Sequence, residues 1–134
     1  MFYSDMKVCY FDLYFDRQGS TGEVRFEKTY KDPRYFTTIY FSEPQFVKEK
    51  KVTISIPAWM NADVVSYNFG NNIVCDMAVD PKTGSRICTY TITDEPAMKE
   101  ENNMRGRSFI YPHVKVVAKS ANLKSGKETF FETL

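Results

Sequence analysis

Residues 75–93, Cys75-Asp76-Met77-Ala78-Val79-Asp80-Pro81-Lys82-Thr83-Gly84-Ser85-Arg86-Ile87-Cys88-Thr89-Tyr90-Thr91-Ile92-Thr93, decide the fold class of this chain. Two stretches that alternate apolar and polar side chains flank Asp80-Pro81-Lys82-Thr83-Gly84. Pro81 presets φ for a tight turn, the Asp80 carboxylate can bond back to the backbone, and Gly84 accepts the left-handed conformation that closes a short loop. The reading is a β-hairpin. A four-residue loop from Pro81 to Gly84 sets Asp80 against Ser85 and Val79 against Arg86, and so Cys75 against Tyr90 and Met77 against Cys88. Ile73, Cys75, Met77, Val79, Cys88, Tyr90 and Ile92 then share the core face. Val74, Asp76, Ala78, Ile87, Thr89 and Thr91 form a mixed face able to meet water.

The same pattern recurs on both sides of the hairpin. Lys7 to Phe15 alternates, with Cys9, Phe11, Leu13 and Phe15 on one face and Val8, Tyr10, Asp12 and Tyr14 on the other, which predicts a strand. Asp16 to Gly22 is a polar, glycine-bearing turn, and Val24 to Tyr30 reads as a second strand, broken by Lys31-Asp32-Pro33. Tyr35 to Phe41 is a third, ended by Ser42-Glu43-Pro44 because proline cannot donate to a ladder. Lys51 to Pro57 follows with Val52, Ile54 and Ile56 inward, then Asp63 to Phe69, and finally His113 to Lys119. Residues 95–106 are the exception: Pro96 and early acids suggest a short helix that Gly106 could cap, or an ordered loop. About eight short strands with one inward face each predict an all-β, antiparallel β-sandwich of the immunoglobulin-like kind. Residues 1–119 form one sandwich domain, and the polar stretch 120–134 reads as a C-terminal tail that starts a linker to a further domain.

Composition narrows the function. With 134 residues, one core suffices, burying roughly two thirds of the surface of the unfolded chain. Lys and Arg number 18 against 17 Asp and Glu, and a net charge of +1 makes no field to gather phosphate backbones, so nucleic acid is not an expected partner. No stretch approaches the roughly 18 continuous apolar residues of a membrane span, and the first residues do not read as a signal peptide. Cys9, Cys75 and Cys88 include no CxxC pair, which leaves no zinc pattern and no expected cofactor. In the register above, Cys75 and Cys88 are diagonal neighbours, about 7 to 8 Å apart at Cα and beyond ordinary disulfide reach, so both should stay reduced.

Catalytic chemistry finds little purchase. A thiol needs an imidazole beside it to become a nucleophile, and His113 is the one histidine, but each cysteine lies on the apolar face of a strand, where a thiol behaves as a small hydrophobe. Paired carboxylates would suit a glycosidase, yet Asp76, Glu95, Glu100 and Glu101 fall on a solvent face or in a charged loop. No catalytic or metal-ligating residue is expected. Tyr10 and Tyr14 share the outward face of the first strand and Trp59 follows Pro57 in a loop, an arrangement suited to stacking on sugar rings or on a partner protein.

Thr91-Ile92-Thr93-Asp94-Glu95-Pro96-Ala97-Met98-Lys99-Glu100-Glu101, followed by Phe109-Ile110-Tyr111-Pro112-His113-Val114-Lys115-Val116, resembles the end of a β-sandwich domain of unknown function that precedes a transglutaminase-like domain in bacterial multidomain proteins. The Asp-Pro-Lys-Thr-Gly turn fits the same layout. The resemblance implies a non-catalytic structural or interaction module that packs against the downstream transglutaminase-like domain of the same polypeptide or presents substrate to it. It also implies a place in the bacterial cell envelope, periplasmic or extracellular. The catalytic residues of such proteins belong to the following domain, so none transfers to this chain. The alternative is a stand-alone carbohydrate- or protein-binding sandwich that uses Tyr10, Tyr14 and Trp59.

Overall fold

The computed structural model describes residues 12, 14–32, 36, 38–122 and 126–130. Seven strands and one helical turn are defined among them: β1 (Ile39–Tyr40), β2 (Val47–Ile56), β3 (Met60–Tyr67), β4 (Ile73–Val79), β5 (Arg86–Glu95), α1 (Arg107–Ile110), β6 (His113–Asn122) and β7 (Glu128–Phe130). They form two antiparallel sheets, an all-β, sandwich-like fold. In one sheet β6 is central, with β3 along one side and β1 and β7 on the other; in the second the order is β2-β5-β4.

Local chemistry explains the hairpin at the centre of the sequence argument. The Asp80 carboxylate accepts from the Lys82 N–H at 2.9 Å and the Thr83 hydroxyl at 2.8 Å, Gly84 donates to the Asp80 carbonyl at 2.8 Å with φ +71°, and Asp80 N–H donates to the Ser85 carbonyl at 2.9 Å. The ladder that follows pairs Val79 with Arg86, Met77 with Cys88, Cys75 with Tyr90 and Ile73 with Ile92, the register that the turn chemistry predicts. β2 likewise buries Ile54 and Ile56 and exposes Thr53 and Ser55, as its alternation requires.

Between the sheets, Ile54 and Ile56 of β2, Ala62 of β3, Cys88, Tyr90 and Ile92 of β5 and Val114 of β6 make the core with Phe41. Its centre is a triangle of rings. Phe41 lies 5.5 Å from Phe69 and 5.6 Å from Tyr90, and Phe69 meets Tyr90 edge-on at 5.7 Å, the offset and edge geometries that aromatic quadrupoles favour.

Several expected elements differ. Val24 to Tyr30 forms no strand: Val24 and Phe26 are exposed, and Arg25 pairs with Glu23 in the same run at 2.6 Å. A strand needs a neighbour to bond with, and alternation alone supplies none. The preceding turn is present, with Ser20 N–H bonded to the Arg17 carbonyl at 3.1 Å and Gly19 at φ +89°. Of the strand expected over Lys7 to Phe15, residues 7–11 and 13 lie outside the described residues, while Asp12, Tyr14 and Phe15 are not in a strand. The third expected strand shrinks to Ile39 and Tyr40, with residues 35 and 37 outside the description.

Residues 96–106 take the second of the two forms expected there, an ordered loop. Met98 N–H bonds to the Glu43 carbonyl at 2.8 Å, and the Tyr111 hydroxyl both accepts from Lys99 N–H at 3.1 Å and donates to its carbonyl at 2.9 Å. Backbone groups committed to other segments are lost to an i→i+4 ladder. The helical turn comes after Gly106, which stands at its N-terminus instead of capping a C-terminus. At the far end β6 runs on to Asn122, and Glu128 to Phe130 return beside Ser120 to Asn122, so part of the polar stretch 120–134 is sheet.

Candidate functional site

One side of the sandwich is open. β3 ends the first sheet and β4 ends the second, and among the described residues neither has a strand on its outer side. The two edges diverge over a cleft of about 590 Å³ lined by Asp63 to Ser66 of β3, Met77 to Val79 of β4 and Arg86 to Cys88 of β5. This is where the expected core face of the hairpin fails: Cys88, Tyr90 and Ile92 are buried, but Cys75, Met77 and Val79 on the neighbouring strand are exposed. β4 overhangs the sheet opposite, so the same face is core on one strand and surface on the next.

Polar groups tie the cleft at its base. An Arg86 guanidinium N–H donates to the Ala62 carbonyl and so links β5 of one sheet to β3 of the other, and Lys119 pairs with Asp63 at 2.5 Å. Burial pushes the Tyr90 phenol above its ordinary range, an effect that its hydrogen bond to Ser66 opposes. The Cys88 thiol is also pushed up, first by burial and then by the neighbouring Cys75, with Arg86 pulling the other way. A raised thiol pKa works against a thiolate nucleophile. Cys75 and Cys88 are both free, one exposed and one buried.

The structure separates the residues that sequence singled out. Trp59 is 51% exposed at the tight β2–β3 turn, where Met60 N–H bonds to the Pro57 carbonyl at 3.0 Å and the Trp59 carbonyl accepts from Asn122 N–H at 2.7 Å. Tyr14 is 82% exposed in a segment without strand pairing, its hydroxyl 3.3 Å from an Asp12 carboxylate oxygen; Tyr10 lies outside the described residues. Among the described residues no second ring packs on Trp59 or Tyr14, so no stacking platform is assembled there. His113 is buried, its Nδ1 2.9 Å from the Tyr111 carbonyl and its ring stacked on Tyr67 at 4.9 Å with Tyr40 at 5.1 Å.

Glu95 corrects one expectation. It is buried, not solvated: Ser42 Oγ donates to one carboxylate oxygen at 2.5 Å and Asn72 Nδ2 to the other at 2.7 Å. Asn72 also donates to the Thr93 carbonyl at 3.1 Å, and Thr93 N–H bonds to the Asn72 carbonyl at 3.2 Å. The carboxylate thus joins the segment after β1, the turn before β4 and the end of β5. Asp76, Glu100 and Glu101 are exposed, as expected. Neither the open side nor this buried cluster was evident in sequence; the nearest signal was a short polar residue, Ser42 or Asn72, just outside a strand, a common place for a side chain that bonds to backbone. Among the described residues no three His, Cys, Asp or Glu side chains gather to hold a metal, and no helix is long and apolar enough to cross a membrane.

Comparison with protein-family models, curated proteins and solved structures finds no match to this chain.

Proposed function

We propose that this chain is a non-catalytic interaction module, one that works by contact, with the open side of its sandwich as the contact surface. The observation that carries the reading is β4: six of its seven residues are exposed, among them Val74, Met77 and Val79, and among the described residues no strand pairs with its outer edge. Exposed apolar strands at a sheet edge are sites of protein contact. The immunoglobulin-like kind of sandwich belongs to this proposal through the strand pattern of the sequence, and the role beside a transglutaminase-like domain of the same polypeptide, in the bacterial envelope, through the sequence resemblance. Trp59 and Phe130 support it at the other end of the first sheet. Both are exposed beside the end of β6, where Asn122 bonds to Trp59 and Ser120 faces Phe130.

The test uses the full-length gene product. Val79→Lys at the open side should disrupt its assembly, read as a loss of mass in light scattering where the contact joins separate chains and as faster limited proteolysis where it joins parts of one polypeptide, while circular dichroism stays unchanged. Unaltered assembly would refute the reading. So would turnover of peptide, ester or glycoside substrates by this chain that disappears in Cys75→Ala or Cys88→Ala.

A further inference from the structure

The edges of the two sheets are protected unequally. β2, the outer strand on the far side of the second sheet, carries exposed Lys48, Glu49 and Lys51. β3 has a register shift between Asn61 and Ala62 and an Asp63–Lys119 ion pair, and β1 and β7 are only two and three residues long. Charges, bulges and shortness are the usual means of keeping an edge from pairing. β4 has neither bulge nor shortness, and among the described residues its single charge has no ion-pair partner of the kind that Asp63 has: it is seven residues long, pairs with β5 without a shift, and carries only Asp76.

The direction of its free backbone groups follows from the ladder. Asp80 N–H bonds to the Ser85 carbonyl at one end and Thr93 N–H to the Asn72 carbonyl at the other. Bonded and non-bonded pairs alternate in an antiparallel ladder, so Val74, Asp76 and Ala78 turn their backbone groups to β5. Ile73, Cys75, Met77 and Val79 turn theirs to the open edge, the same residues whose side chains lie on the cleft side.

We infer that this edge pairs with β4 of a second copy of the chain, antiparallel about a twofold axis, joining the two three-stranded sheets into one continuous sheet. This rests on the contact-module reading above and names its partner. A twofold axis matches outward-facing residues with outward-facing residues automatically. Asp76 then chooses the register. An axis through Asp76 would set two carboxylates opposite each other in a non-bonded pair, where side chains are closest and like charges are unfavourable. An axis through Met77 sets Asp76 against Ala78 of the second copy, Met77 against Met77 and Cys75 against Val79. It also covers Met77 and Val79, which are 74% and 62% exposed in the single chain. The net charge of +1 puts no long-range repulsion between copies.

Sedimentation of this 134-residue chain at rising micromolar concentration tests the pairing. The expected result is a shift from monomer to twice the monomer mass, lost in Met77→Lys, with the amide exchange of Cys75, Met77 and Val79 slowing as concentration rises while that of Val74, Asp76 and Ala78 does not change. Val79→Cys, exposed to oxidised glutathione, should give a dimer whose bridge joins the new thiol to Cys75 of the second copy, since a bonded pair lies about 5.5 Å apart at Cα, within disulfide reach. A monomer at every concentration, a dimer that survives Met77→Lys, or a bridge between the two Cys75 thiols overturns the inference. If the chain stays monomeric while Val79→Lys still disrupts the full-length assembly, homotypic pairing fails and the contact-module reading stands.

Discussion

Replacing Ser42 with alanine should be one of the most destabilising small changes in this protein. Its hydroxyl donates at 2.5 Å to a Glu95 oxygen, both residues are buried, and the other oxygen is already committed to Asn72 at 2.7 Å. A hydrogen bond to a charged group contributes about 1.5 to 3 kcal/mol, and a buried acceptor left unmet costs its desolvation besides, so a loss of about 2 to 3 kcal/mol is expected. For a chain of this size each kcal/mol moves Tm by roughly 3 to 4 °C, which puts the fall at roughly 6 to 12 °C. Urea unfolding followed by circular dichroism measures it, with the slope of the transition unchanged. The double variant with Glu95→Gln isolates the interaction: once the charge is gone, Ser42→Ala should cost about 1 kcal/mol or less, a coupling of at least that size in the cycle. A Ser42→Ala loss below about 0.5 kcal/mol, or additive single changes, would refute the argument that the hydroxyl holds a buried carboxylate.

Tyr90→Ala should remove about 3 to 5 kcal/mol, because it empties the centre of the Phe41–Phe69–Tyr90 triangle, whereas Tyr90→Phe keeps the ring and should lose far less; thermal melts of the two variants test the difference. The Asp80 carboxylate is held below its ordinary range by the Lys82 N–H and then by the Thr83 hydroxyl. A lowered folded value means that its contribution to stability is present above the unfolded pKa and is lost as pH falls through the folded one. Asp80→Asn should therefore flatten the acid limb of urea midpoints measured from neutral pH to about pH 2. Cys75 and Cys88 should remain thiols in freshly prepared protein, Cys75 alkylating faster because it is exposed; an intact-mass loss of about two daltons mapped to this pair would show that the hairpin register is wrong.

The hairpin was legible because its determinants are local. Pro81, Gly84 and the Asp80 side chain act within six residues of one another, and once the loop length is set the register of β4 and β5 follows residue by residue. The strand at Val24 to Tyr30 failed on the opposite ground: its alternation is as regular, but what makes a strand is the partner that bonds to it, and pairing is a long-range fact. At residues 96–106 local signals left a short helix and an ordered loop both open, and bonds from Met98 to Glu43 and from Lys99 to Tyr111 decide for the loop.

For function the division is sharper. Sequence alone determined the all-β class, the inward faces of β2 and β5 and the register of the hairpin, because side-chain periodicity and turn chemistry are carried by neighbours along the chain. Only the tertiary structure decided that Glu95 is buried between Ser42 and Asn72, that His113 is packed between tyrosine rings, and that Met77 and Val79 face an open cleft instead of a core. Whether an apolar face is covered depends on how far the opposite sheet extends, and that extent is set by pairings between residues distant in sequence.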